Sequence, residues 1–295
     1  MKLSIVIPIM NQHELTVKCL KLIHSYIKNV EEIVIIDNSD TDFLAYKGLQ
    51  EVDSRIINNL KVIRNKENVG VRESLNQGWR NSTGEAILFM HNDLMIYEPN
   101  FDEKLKETFE KVPQASMIGA FGAKGIGTPE LFTKPYEMCQ LARIHNISNA
   151  LMDKSIHGFR NLGNDYENVA VFDGMFMCIR RSFLDSIGGF DKITETFHNY
   201  DNLICIKSIE AGFENLVIPI KCDHLGGRTT VAEDWAKKFG KDKEQVHVDA
   251  HPPLYEYLKR TGRIFVEDIF DEKTMNICGY ALYMNNKLIK ERIYE

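Results

Sequence analysis

The sequence predicts an α/β fold: a mostly parallel sheet flanked by helices, followed by a C-terminal extension. Three observations carry this. Short apolar runs of strand length recur through residues 1–121. Segments with apolar residues at helical spacing separate them. Two of the runs end in acids and turn formers, most clearly Ala86-Ile87-Leu88-Phe89-Met90-His91-Asn92-Asp93. An apolar run this short suits a strand buried on both faces, as in a parallel sheet covered by helices. Open α/β sheets bind their ligands at the carboxyl ends of such strands.

The elements follow in order. Residues 3–8 form a first strand; the run is too short for a signal peptide, and no small-residue cleavage site follows it. Residues 13–27 carry Leu15, Cys19, Leu22, Ile23 and Tyr26 near helical spacing. Residues 32–37, with their Ile-Val-Ile-Ile run, are the second strand, and residues 43–52 a polar helix. A short third strand spans 60–63, a helix 71–81 with Gly84 marking its exit, and the fourth strand 86–90. A helix over 101–112 and a strand over 116–121 complete the rhythm. This βαβα alternation predicts a parallel or mostly parallel sheet.

From 122 to 168 the rhythm gives way to glycines, prolines and polar residues, a long irregular excursion. Such loops in compact domains are usually functional or disordered. A strand over 169–179 follows, then a Gly188-Gly189-Phe190-Asp191 turn and a helix over 201–211 capped by Gly212. Residues 216–220 and 221–224 return as strands. Beyond about 226 the chain is polar, with short helices near 234–239 and 252–261. The last stretch suits strands, with Asn285-Asn286 as a hairpin turn.

The totals bound the function. A chain of 295 residues holds one large α/β domain, alone or with an appendage. Lys and Arg number 36 against 42 acids, a net charge of −6, which gives no electrostatic reason to bind nucleic acid. The six cysteines contain no Cys-x-x-Cys pair, so neither a zinc site nor a disulfide framework is indicated. No apolar run is long enough to span a membrane. The expectation is a cytoplasmic protein, with peripheral membrane attachment left open.

Three acids stand where chemistry would need them, each with a plainer use beside it. Asp93 ends a buried strand, where it can hold a cation and through it a phosphate, or simply turn the chain. Asp37 ends the second strand in Asp37-Asn38-Ser39-Asp40-Thr41-Asp42. It can accept a hydrogen bond from a base or ribose, while Ser39 to Asp42 can equally cap a helix. Asp201 sits near a helix start, where an acid also suits the macrodipole. Phe172, Phe176, Trp79 and Trp235 read as packing residues.

The order of these segments resembles family 2 glycosyltransferases of the GT-A fold, a Rossmann-like architecture. The matching pieces are Ser4-Ile5-Val6-Ile7-Pro8 with Asn11, Ile35-Ile36-Asp37-Asn38-Ser39-Asp40-Thr41-Asp42, Asn68-Val69-Gly70 with Asn76 and Gly78, His91-Asn92-Asp93, Gly188-Gly189-Phe190-Asp191 and Tyr200-Asp201. The resemblance covers roughly residues 3–225. It implies an inverting transfer of a sugar from a nucleotide-diphosphate donor to a hydroxyl acceptor.

The resemblance also implies roles. Pro8 and Asn11 would line the base pocket, and Asp37 would take the N3–H of a uracil-type base. Asn68, Arg72 and Asn92 would meet the nucleotide or sugar. Asp93 matches the last acid of the Asp-x-Asp motif that holds a divalent metal, Mn²⁺ or Mg²⁺, on the diphosphate. His91 replaces the first acid, so a helper from elsewhere is expected, with His224 the first choice and His91 itself the second. Imidazole suits Mn²⁺ better than Mg²⁺. Arg228, in Leu225-Gly226-Gly227-Arg228, would pair with phosphate oxygens under a closing loop. Asp173 and Gly174 would line the acceptor or sugar side, and Asp201 would be the general base.

The resemblance divides the chain into a glycosyltransferase domain over 1–225, with a nucleotide-sugar half to about 121 and an acceptor half over 122–225. Residues 226–295 form an extension that could cover the site, bind the acceptor or make a homodimer. The donor nucleotide is UDP before dTDP or GDP; the acceptor is a glycan, a lipid-linked carrier or a protein. Two rivals remain. A nucleotidyltransferase would need a glycine-rich basic loop after the first strand, where Ile9-Met10-Asn11-Gln12-His13 has neither glycine nor Lys or Arg. A non-catalytic sugar-nucleotide or glycan-binding module is compatible with the incomplete acidic motif.

Overall fold

The computed structural model describes residues 1–123, 165–192 and 198–225, and parts of 249–293. The first strand, β1 (Leu3–Ile9), leads to helix α1 (His13–Tyr26) and back to β2 (Glu32–Asp37). A short helix α2 (Ser54–Ile57) precedes β3 (Leu60–Arg64), and α3 (Val71–Asn81) precedes β4 (Ala86–Met90). A three-residue strand β5 (Leu94–Ile96), helix α4 (Phe101–Lys111), β6 (Ala115–Gly119) and β7 (Gly122–Ala123) follow. Then come β8 (Glu167–Val169), β9 (Val171–Phe172), β10 (Phe176–Arg180), α5 (Arg181–Ile187), α6 (Tyr200–Glu210), β11 (Glu214–Val217) and β12 (Cys222–His224).

Eight strands make the central sheet in the order β3-β2-β1-β4-β10-β6-β11-β8. The four strands β3, β2, β1 and β4 are mutually parallel. β10 runs antiparallel to both β4 and β6. The predicted mostly parallel sheet is therefore present. Both faces are covered, as the continuous apolar runs require. Ile5, Ile7, Ile33 and Ile35 join one core cluster, and Val6, Val34 and Ile36 the other. Phe172 and Phe176 are buried in these clusters, as the packing reading expected.

Several boundaries differ from expectation, each for a physical reason. The polar helix over 43–52 is instead two 3₁₀ turns, Phe43–Ala45 and Lys47–Glu51, divided by an extended Tyr46. The Asp42 carboxylate accepts from Leu44 N–H and starts the first turn. The single strand over 169–179 is broken at Asp173-Gly174-Met175, which turns the chain from β9 into β10. β5, α2 and α5 were not foreseen. Helix α6 ends in the Schellman pattern that Gly212 predicted: φ is +85° there, Gly212 N–H donates to Ile209 O, and Phe213 N–H to Ser208 O.

Helical turns within residues 249–260 place Leu254 and Leu258 in the same cluster as Leu203 and Ile204 of α6. Strands β13 (Ile264–Phe270), β14 (Ile277–Met284) and β15 (Lys287–Ile293) then form an antiparallel meander. Met284 pairs with Lys287, so only residues 285–286 connect these two strands. The expected helix over 234–239 and loop residue Arg228 lie outside the described residues. Among the described residues, no helix is long and apolar enough to cross a membrane.

Candidate active site

The parallel strands β1, β2 and β4 end on one edge of the sheet, at Ile9, Asp37 and Met90. β10 runs the other way, and its first residue, Phe176, pairs with Met90. The Asp173–Met175 turn thus arrives beside His91, whose N–H donates to Met175 O at 3.1 Å. β12 pairs with β5, setting His224 opposite Leu94 and next to Asp93. Leu225 N–H closes this junction on Asp93 O at 3.1 Å.

Three side chains converge there. His224 Nε2 lies 3.3 Å from Asp93 Oδ1, and His91 Nδ1 lies 3.9 Å from the same oxygen. One ligand atom from each of His91, Asp93 and His224 fits within 4.8 Å of the others. Two imidazole nitrogens and a carboxylate oxygen at this spacing form a donor set that fits a divalent transition ion such as Mn²⁺. Burial opposes charge on His224, yet the Asp93 carboxylate, helped by Asp173 and Asp223, overcomes it and raises the imidazole above its ordinary value. At His91 burial wins over Asp93 and the value falls.

Asp201 stands in the first turn of α6. Its Oδ2 accepts from Gly174 N–H and its Oδ1 from Asn202 N–H, each at 2.9 Å. Burial first, and then the neighbouring Asp173 carboxylate, push its carboxyl up to about 7. The residue as a whole is half-buried. The adjacent Tyr200 reaches across to His91, with Oη 3.3 Å from Nε2. Burial, with Asp201, Asp173 and Asp93, holds that phenol protonated well above its usual range. A side chain on Gly174 would run into Tyr200 Oη, so the glycine is needed for close approach.

The remaining candidates fall into two groups. Asn11 lies near the expected base pocket in left-handed backbone, φ +53°, followed by Gln12 at +51°. Asn11 Oδ1 accepts from Asp40 N–H at 3.0 Å, tying the loop after β1 to the loop after β2. Pro8 is half-buried in β1, opposite Ile36. Asn68 Oδ1 accepts from Gly70 N–H at 2.9 Å, and Arg72 follows in the first turn of α3.

The second group is buried and makes contacts within the protein. Asp37 is fully buried, and its carboxylate accepts from Ser39 N–H, Phe43 N–H and Arg64 Nη1. These bonds hold the loop after β2 in shape. Arg64 extends this hold by donating to the carbonyls of Thr41, Ser39 and Asp40. Asn92 is also buried, and its Nδ2 donates to Thr16 Oγ1 of α1 at 3.0 Å. It pins the strand end to a helix. Gly174 is buried too, and contributes its N–H and its lack of a side chain.

Comparison with known proteins places this chain in a family. A model for "Glycosyl transferase family 2" matches residues 4–188. The chain belongs to glycosyl transferase family 2.

Among curated relatives, glycosyltransferase AglE of Haloferax volcanii is 24% identical over 189 residues, covering 63% of this chain and 55% of the relative. The uncharacterized glycosyltransferase RC0461 of Rickettsia conorii is 29% identical over 207 residues, covering 65% of this chain and 32% of the relative. The chain thus spans about half the length of the first and a third of the second. Solved structures share the GT-A fold. The mannosyltransferase PcManGT of Pyrobaculum calidifontis, in complex with GDP-Man and Mn²⁺, has a TM-score of 0.51 at 17% identity, covering 88% of this chain and 68% of that one. GalNAc-T7 with UDP, GalNAc and Mn²⁺ has a TM-score of 0.57 at 17% identity, covering 76% and 43%. The family 2 match stops at residue 188, before Asp201 and His224. Hydrogen bonds and strand pairing, not sequence similarity, bring those two to the matched residues.

Proposed function

We propose that the chain is an inverting glycosyltransferase that moves a sugar from a nucleotide-diphosphate donor to a hydroxyl acceptor. The observation that supports it best is one three-residue turn, Asp173–Met175, touching both functional groups. Gly174 N–H holds Asp201, and Met175 O holds the backbone of His91. A general base and a cation site therefore share one sheet edge.

Asp201 takes the proton from the acceptor hydroxyl as the new C–O bond forms at the anomeric carbon. Its raised value, about 7, suits it to accept that proton near neutral pH. The diphosphate leaves from the opposite face of the same carbon, so one displacement inverts the centre. His91, Asp93 and His224 would hold a divalent ion, Mn²⁺ before Mg²⁺, that neutralises charge on the departing diphosphate. The loops after β1 and β2, held together through Asn11 and Asp40 and shaped by Asp37 and Arg64, form the nucleotide side. Pro8, Asn68 and Arg72 stand on that side, with UDP the first donor to test. Asp173 faces the acceptor side, whose ligand is a glycan, a lipid-linked carrier or a protein. The proposed catalytic unit is 1–225, with 226–295 as an extension over the acceptor side or at a homodimer contact. A cytoplasmic or membrane-peripheral location goes with this reading.

The test is release of nucleoside diphosphate from a panel of UDP-, GDP- and dTDP-sugars, with and without Mn²⁺. Transfer with one donor class supports the proposal. A donor that raises the melting temperature but is never turned over points instead to a binding module.

A further inference from the structure

We propose that Tyr200 is a positioning residue for the metal site. Its hydroxyl oxygen accepts the Nε2–H of His91 and so commits the opposite nitrogen, Nδ1, to the cation. The inference rests on the metal triad proposed above.

The His91 ring lies between two partners. Nδ1 is the nitrogen toward Asp93 Oδ1, at 3.9 Å, and Nε2 is the nitrogen toward Tyr200 Oη, at 3.3 Å. A neutral imidazole carries one N–H and one lone pair, and a cation takes the lone pair. With Nδ1 as the ligand, the hydrogen sits on Nε2. In a half-buried place that hydrogen needs an acceptor, or the ring loses both its tautomer preference and its orientation. Tyr200 Oη is the acceptor the fold provides.

Tyr200 is itself held for this purpose. Its ring is 7% exposed and meets Phe190 edge-on at 6.3 Å. Gly174 leaves the space that Oη occupies. The backbone of His91 is fixed on Met175 O, so the Tyr200 contact decides the remaining freedom of the ring. Tyr200 and Asp201 are consecutive, so the residue that aims the cation ligand and the proposed base move together with the start of α6.

The test is a Mn²⁺ titration without any donor, followed by the loss of the free-ion electron paramagnetic resonance signal. Four proteins are compared: wild type, Tyr200→Phe, His91→Asp and the double variant, each checked for a cooperative melt. Tyr200→Phe is expected to weaken Mn²⁺ about 10- to 100-fold, the usual effect of removing a ligand's orienting partner. In the His91→Asp background, which has no imidazole to aim, the same change should do nothing. Equal affinity in wild type and Tyr200→Phe overturns the inference. So does an equal loss in both backgrounds, which marks a merely structural tyrosine. Wild type that binds no Mn²⁺ overturns the metal triad as well; wild type that binds while Tyr200→Phe binds equally overturns the positioning role alone.

Discussion

Gly174 donates its N–H to Asp201 Oδ2 at 2.9 Å, so the proposed base is held by a backbone group that no side-chain substitution removes. The carboxylate is oriented, and burial raises it to about 7. Asp201→Asn keeps an acceptor for one of the two N–H groups but cannot take a proton. Its kcat is expected to fall about 100- to 10,000-fold, as measured by nucleoside diphosphate release.

The same group sets a pH dependence with a definite sign. Its folded value, about 7, lies above the ordinary 3.8, so the folded chain binds more protons between those values. Stability contributed by the protonated form is therefore lost as pH rises from about 4 to about 7, and is flat above. The melting temperature of Asp201→Asn relative to wild type should climb through that window. In the wild type, kcat/KM should rise with pH through about 7, reporting the free enzyme's base.

Gly174→Ala places a methyl group against Tyr200 Oη. Overpacking of this kind costs about 1–3 kcal/mol, read as a lower denaturation midpoint in urea. Removing the hydroxyl with Tyr200→Phe should recover part of that loss.

How far the sequence reached depends on the range of the interaction. β1, β2 and β4 were legible because each is a short apolar run ending in polar residues, a purely local signal. β5 was not, because Leu94–Ile96 becomes a strand only by pairing with Cys222–His224. Asp37 was legible as a special acid, but its partner Arg64 from the next strand was not. The partner of Asn92, Thr16 on α1, was not legible for the same reason. The convergence of His91, Asp93 and His224 needed the fold as well as the motif. Tyr200 carried no signal beyond its place beside Asp201.

Asn199 is the residue by which the C-terminal helical turns grip the start of α6. Its Nδ2 donates to Ala250 O at 2.8 Å, its Oδ1 accepts from Asn202 Nδ2 at 2.9 Å, and its φ is +59°. Asn199→Ala should cost about 1–3 kcal/mol from the lost hydrogen bonds, with a left-handed penalty of about 1–2 kcal/mol besides. Asn199→Gly loses the same bonds without the penalty. Comparing the two midpoints in urea separates these effects.

The cation site makes a prediction about metal choice. Two nitrogens and one oxygen should favour Mn²⁺ over Mg²⁺, which prefers oxygen alone. Mn²⁺ should raise the melting temperature more than Mg²⁺ at equal concentration, because only binding to the folded state stabilises it. His224→Ala should abolish most of the Mn²⁺ effect.

The place of β10 between β4 and β6 has a consequence for how the chain is made. While the ribosome has delivered only the stretch up to β6, the edges of β4 and β6 that β10 will join are both open. They face each other across a gap that only Phe176–Arg180 can fill. A nascent chain cut or stalled in the intervening stretch carries an open edge on β4 and leaves β6 without either neighbour, edges of the kind that pair with neighbouring chains. Completion of the sheet must wait for a strand synthesised more than fifty residues later, a long-range closure that slows folding and makes early fragments prone to aggregate.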